Sequence, residues 1–84
     1  MSGGLPAITG PELIKLLKKD GWKEDERRTH GVALKKAFPN GLIRSTVIAT
    51  RNESLPKRTI GLILGPLQTN LGTAGLKNLL KMYR

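Results

Sequence analysis

His30-Gly31-Val32-Ala33-Leu34-Lys35-Lys36-Ala37-Phe38-Pro39-Asn40-Gly41-Leu42-Ile43-Arg44-Ser45-Thr46-Val47-Ile48-Ala49 is the stretch whose reading decides the fold. Its centre, Phe38-Pro39-Asn40-Gly41, is a turn with a mechanism: proline presets φ, and Asn and Gly accept the positive φ that a tight reversal needs. The arms therefore predict a hairpin, with one strand from His30 to Phe38 and the next, rich in Ile, Val and Thr, from Leu42 to Ala49. Regular alternation places Arg44 on the face of Leu42, Thr46 and Ile48, and His30 on the face of Val32 and Leu34.

Upstream of the hairpin, Trp22 begins an extended segment that turns at once into Lys23-Glu24-Asp25-Glu26-Arg27-Arg28. Such a charged run suits an edge strand or an exposed hairpin arm. Before it, Thr9-Gly10-Pro11-Glu12 reads as a capping box with proline in the first turn, which predicts a helix start. Leu13, Leu16 and Leu17 form that helix's apolar stripe with Ile14 at its margin, while Lys15, Lys18 and Lys19 take the outer face. Gly21 supplies the stop. Residues 1–7 read as a flexible lead-in.

Downstream, Thr50 to Leu55 is a polar loop, and Pro56 opens a short helix with Ile60, Ile63 and Leu64 as its apolar set, ended by Gly65-Pro66. Gln68 to Gly72 is a connector. Thr73 is then placed to cap a last helix whose Leu76, Leu79, Leu80 and Tyr83 recur at helical spacing. The expected class is α+β, a single domain over residues 8–84, ordered helix, three antiparallel strands, helix, and an extra C-terminal helix. That order of elements is the one found in the double-stranded-RNA-binding fold.

With 84 residues there is room for one modest core, and such a chain buries about 60% of its unfolded surface. Fifteen Lys and Arg against six Asp and Glu give a net charge of +9, which calls for an anionic partner. A membrane is the weakest candidate, because no apolar run approaches the ~18 residues a span requires. The absence of cysteine excludes a disulfide framework and a cysteine-ligated zinc site, and it permits a cytoplasmic location. Four of the six carboxylates fall between Asp20 and Glu26. Neighbouring Lys23, Arg27 and Arg28 neutralise them and adjacent strand residues point to opposite faces, which argues against a magnesium site.

His30 is the only histidine, and cations flank it on both sides. Imidazole is the one side chain that exchanges protons near neutral pH without perturbation. A lone histidine is more often packed or hydrogen-bonded than catalytic, and the shared face with Val32 and Leu34 favours packing. Its place at the start of a strand, at the sheet margin, favours one wet side of the ring.

Four motifs carry a more specific likeness. They are Thr-Gly-x-Glu-Leu-Ile-x-x-Leu at residues 9–17, Asp20-Gly21-Trp22, Thr29-His30-Gly31 opening a strand, and Leu55-Pro56-x-x-Thr59-Ile60-x-x-Ile63-Leu64. In this order and spacing they resemble the HicA family of toxins, small ribonucleases that act as mRNA interferases in bacterial toxin–antitoxin pairs. The likeness covers residues 8–65, and the tail from Leu67 onward extends beyond it. The family's catalytic histidine follows Gly-Ser, where this chain has Arg28-Thr29.

The resemblance implies that His30 is a general base, that the protein cleaves RNA without a metal or other cofactor and thereby inhibits translation and growth, and that a HicB-like antitoxin is its protein partner. RNA carries its own nucleophile, the 2′-OH, so removal of that proton allows attack on the adjacent phosphorus and leaves a 2′,3′-cyclic phosphate and a 5′-OH. Arg28, Lys35, Lys36 and Arg44 are the candidates to stabilise the phosphorane. Arg27, Thr29, Lys15, Lys18, Lys19, Lys57 and Arg58 join them as candidate RNA contacts. Two other classes fit the same charge: a non-catalytic double-stranded-RNA-binding module, and a protein-binding module neutralised by an acidic partner.

Overall fold

A computed structural model describes residues 7–83, so all of the predicted lead-in over residues 1–7 except Ala7 lies outside the described residues. Six elements follow in the order α1 (Gly10–Lys19), β1 (Lys23–Arg27), β2 (Gly31–Ala37), β3 (Ile43–Ala49), α2 (Lys57–Leu64) and α3 (Gly72–Tyr83). The strands form one antiparallel sheet in the order β1-β2-β3, with β2 in the centre.

Helix α1 starts where its capping box dictates. The Thr9 hydroxyl accepts from the Glu12 N–H at 3.3 Å, and the Glu12 carboxylate accepts from the Thr9 N–H at 3.2 Å. Two otherwise unmet donors are thus satisfied reciprocally. Gly21, at φ +101°, ends the helix in a conformation that suits glycine. Leu13, Leu16 and Leu17 are buried as the stripe predicts, and Ile14, placed at the margin by sequence, is buried with them. They join Val32, Leu34 and Ile48 of the sheet and Ile60, Ile63 and Leu76 of α2 and α3 in one apolar core.

The β2–β3 hairpin keeps a single register from Gly31↔Ala49 to Ala37↔Ile43. Its turn is closed by the Phe38 N–H on the Leu42 carbonyl at 2.8 Å, with Gly41 alone taking positive φ. Leu42 stands outside the strand and is exposed. Thr46 and Ile48 are buried against the helices, while Ile43 and Val47 remain exposed on the opposite face.

Three expectations need correction. His30 does not open β2 and does not share the face of Val32 and Leu34. Arg28 donates its N–H to the Gly31 carbonyl at 2.7 Å, so Thr29 and His30 are the two-residue tip that joins β1 to β2, and His30 is exposed. Thr73 does not cap α3, because the helix already begins at Gly72, after positive φ at Asn70 and at Gly72 itself has reversed the chain. Tyr83 lies 40% exposed at the end of the α3 stripe, where the core has run out.

Candidate functional site

The register that buries Val32 and Leu34 is what presents His30. Because Arg28 and Gly31 close the hairpin, the two residues between them must project beyond the sheet margin. The His30 backbone is nevertheless held, since its carbonyl accepts the Thr50 N–H from the end of β3 at 3.3 Å. Among the described residues the imidazole itself makes no hydrogen bond or ion pair, and both ring nitrogens are open to a ligand.

His30 forms a ridge between two concavities. On one side it meets Ala49, Arg51, Glu53, Ser54, Leu55, Pro56 and Thr59, around a volume of about 340 Å³. On the other it meets Arg28, Thr29, Gly31 and Val47, around about 390 Å³. Both are open to solvent, the second a shallower depression than the first. A third concavity joins Lys15 and Lys18 of α1 to Arg27 and Thr50. Thr50 is the residue bonded to His30, so a cationic band continues from α1, past the hairpin tip, to the start of α2.

At that start Lys57 and Arg58 occupy the first turn of α2, which has no acidic residue and no side-chain cap. Cations are unfavourable at a helix N-terminus, where the backbone already presents partial positive charge. Bound phosphate there would relieve this, since it meets both the cations and the free N–H groups.

The other candidate residues are placed elsewhere. Lys35, Lys36 and Arg44 stand at the far end of β2 and β3 from His30, five or six residues away, or roughly 17–20 Å of strand. The structure therefore does not bring them to a phosphorane at His30. Lys36 donates to the Asp20 carbonyl at 2.7 Å and faces its carboxylate at 3.3 Å, tying β2 to the end of α1. Arg44 donates to the carbonyls of Pro66 and Gln68 at 2.7 and 3.4 Å, tying β3 to the α2–α3 connector. Lys35 faces Asp25 at 3.3 Å. Lys19 lies 5.4 Å from the centre of the Tyr83 ring, turned towards α3.

The acidic run is neutralised by partners from three elements. Glu24 meets Lys18 at 3.2 Å and Arg27 at 3.1 Å, and Glu26 meets Arg28 at 3.3 Å. The hydrogen bond from Lys18, then that from Arg27, holds the Glu24 carboxyl below its ordinary value. Arg28 beside His30 is thus tethered to an exposed carboxylate, a weak restraint that a phosphate can displace.

Sequence reasoning passed over Arg51, which lines the same concavity as His30 and whose only acidic neighbour, among the described residues, is Glu53 at 4.0 Å. The signal was available once the hairpin register was drawn: with Gly31 opposite Ala49, the residues just after β3 must lie beside the residue just before β2. No family model, curated protein or solved structure matches this chain.

Proposed function

We propose that this protein is a metal-independent endoribonuclease in which His30 is the general base, a toxin of the HicA kind acting on mRNA in the cytoplasm and held in check by a HicB-like antitoxin. The observation that carries the reading is the position of His30: an exposed imidazole on a ridge between two concavities, with Arg28 on one side and Arg51 on the other. A strand of RNA laid along the cationic band has one nucleotide in each concavity and its phosphodiester on the ridge. His30 then takes the 2′-OH proton, the 2′-oxygen attacks phosphorus, and the 5′-oxygen leaves. Arg28 and Arg51 are the cations within reach of the phosphorane, in place of Lys35, Lys36 and Arg44. The leaving oxygen takes its proton from water or from the imidazolium just formed.

The arrangement of the helix, sheet and helix, with cations on α1, at the β1–β2 tip and at the start of α2, supports a double-stranded-RNA-binding-like fold turned to cleavage. The open imidazole also favours a second reading. A catalytic histidine is commonly oriented by a hydrogen bond to its other nitrogen, and the absence of one among the described residues suits a binding module in which His30 contacts the RNA backbone.

Labelled RNA incubated with the protein in EDTA separates the two, with a parallel His30→Ala preparation as the control for contaminating nuclease. The toxin reading expects fragments ending in 2′,3′-cyclic phosphate from the parent alone. Intact RNA that is nonetheless retained by the protein supports the binding module.

A further inference from the structure

The two edges of the sheet differ in kind. On β1 all five side chains, Lys23 to Arg27, are charged and exposed, and the register shifts between Glu24 and Glu26. Charge and a bulge are the usual protection of an edge against an added strand. On β3, seven residues run in unbroken register against β2 with no proline, and Arg44, their only charged side chain, is turned back to the Pro66 and Gln68 carbonyls. This edge has no such protection.

The direction of its free backbone groups follows from the ladder. The Thr50 N–H meets the His30 carbonyl and the Phe38 N–H meets the Leu42 carbonyl, and both pairs belong to the register that joins Gly31 to Ala49. In an antiparallel ladder bonded and non-bonded pairs alternate, so Arg44, Thr46 and Ile48 bond to β2 while Ile43, Ser45, Val47 and Ala49 turn their N–H and C=O groups outward. Gly10 lies against the Ala49 carbonyl so closely that no side chain fits at that position. The six groups of Ile43, Ser45 and Val47 have no backbone partner among the described residues.

We infer that this edge pairs with the same edge of a second copy of the chain, in a two-fold antiparallel ladder centred on Ser45. Ile43 of each copy then lies opposite Val47 of the other, Ser45 faces Ser45, and all six outward groups of each copy are bonded. Ile43 and Val47, 64% and 48% exposed in the single chain, meet in both symmetric positions on the open face of a six-stranded sheet. A ladder centred on Thr46 instead requires the Ala49 carbonyl, which Gly10 covers. The strip is uncharged on a chain of net charge +9, so it is not built to find an acidic partner, and its own copy supplies the matching uncharged strip. Because the two copies repel through their remaining cations, added salt strengthens this pairing, whereas it weakens binding to RNA.

The chain has no cysteine, so Ser45→Cys places a single thiol at the two-fold axis. Bonded antiparallel pairs hold their Cα atoms about 5.5 Å apart, within the ~4.4–6.8 Å span of a disulfide. Mild oxidation of this variant yields a cross-linked dimer faster than oxidation of Lys77→Cys, a control on the exposed face of α3. In sedimentation equilibrium, Val47→Lys weakens the dimer about tenfold. The double variant Ile43→Lys, Val47→Glu recovers it, because the new charges face one another only between copies. A chain that sediments as a monomer at every concentration overturns the pairing. So does a dimer indifferent to Val47→Lys, or cross-linking of Ser45→Cys no faster than of the control.

Discussion

At one end of the sheet Lys35, Lys36 and Arg44 each reach an oxygen of the fold itself, whereas at the other end His30 reaches none and Arg51 only a loose exposed neighbour. Both ends are rich in cations, and in the sequence they look alike. The difference teaches that charge becomes available to a ligand where the backbone leaves it unpaired, and becomes structure where a carbonyl or carboxylate lies within reach. Asp20 ends α1 beside Lys36, and the connector after α2 passes under Arg44. At the tip Arg28 meets only the exposed Glu26 carboxylate at 3.3 Å, a pair as loose as Lys35 with Asp25, and among the described residues no oxygen of the fold holds the His30 ring.

Substitutions can break this contrast from either end. The largest expected effect is at the tip: His30→Ala lowers RNA cleavage by roughly 10²–10⁴-fold, the usual contribution of a positioned base, and leaves the melting temperature unchanged because the side chain is exposed and outside the apolar core. Equal cleavage by parent and variant removes the catalytic assignment. At the far end the pattern inverts. Lys36→Met costs about 1–2 kcal/mol in a denaturant titration, since the Asp20 carbonyl loses its charged donor, while cleavage per folded molecule is preserved. A variant as stable as the parent but weaker on RNA shows that Lys36 belongs to the site after all.

Smaller effects sharpen the same line. Arg51→Ala reduces the slope of log affinity against log salt by about one phosphate contact, whereas Arg44→Ala leaves that slope unchanged. Equal slopes for the two variants dissolve the distinction between the ends. The smallest effect is at Glu24. Its carboxyl is held below its ordinary value by Lys18 and Arg27, so its contribution to stability is present above the unfolded-state pKa and is lost as pH falls through the folded one. Glu24→Gln therefore flattens the acid limb of a stability-against-pH curve slightly and changes nothing near neutrality.

Much of the architecture was legible because it rests on local rules. The capping box at Thr9 and Glu12, the reversal at Gly41, the apolar stripe of α1 and the alternation of Thr46 and Ile48 each depend on residues a few positions apart. The errors arose where a distant element intervened. The strand boundary at His30 depended on how β1 pairs with β2, and a two-residue tip cannot be told from a strand start when both are polar. Thr73 resembled a cap until Gly72 and Asn70 turned the chain before it.

The candidate site divides in the same way. By itself the sequence determined that the protein is strongly basic, has one histidine with cations around it, and has strands and helices in a definite order, because composition and short-range periodicity survive without coordinates. Only the tertiary structure decided which cations accompany that histidine. Arg51 and His30 are separated by 21 positions of chain, and they share one concavity because the β2–β3 ladder returns the chain to the margin it left. Lys35 is only five positions from His30, yet an extended strand carries it to the opposite end. Proximity in sequence measures contour length, whereas chemistry requires proximity in space, and hydrogen-bonded pairing between strands is the physical step that converts one into the other.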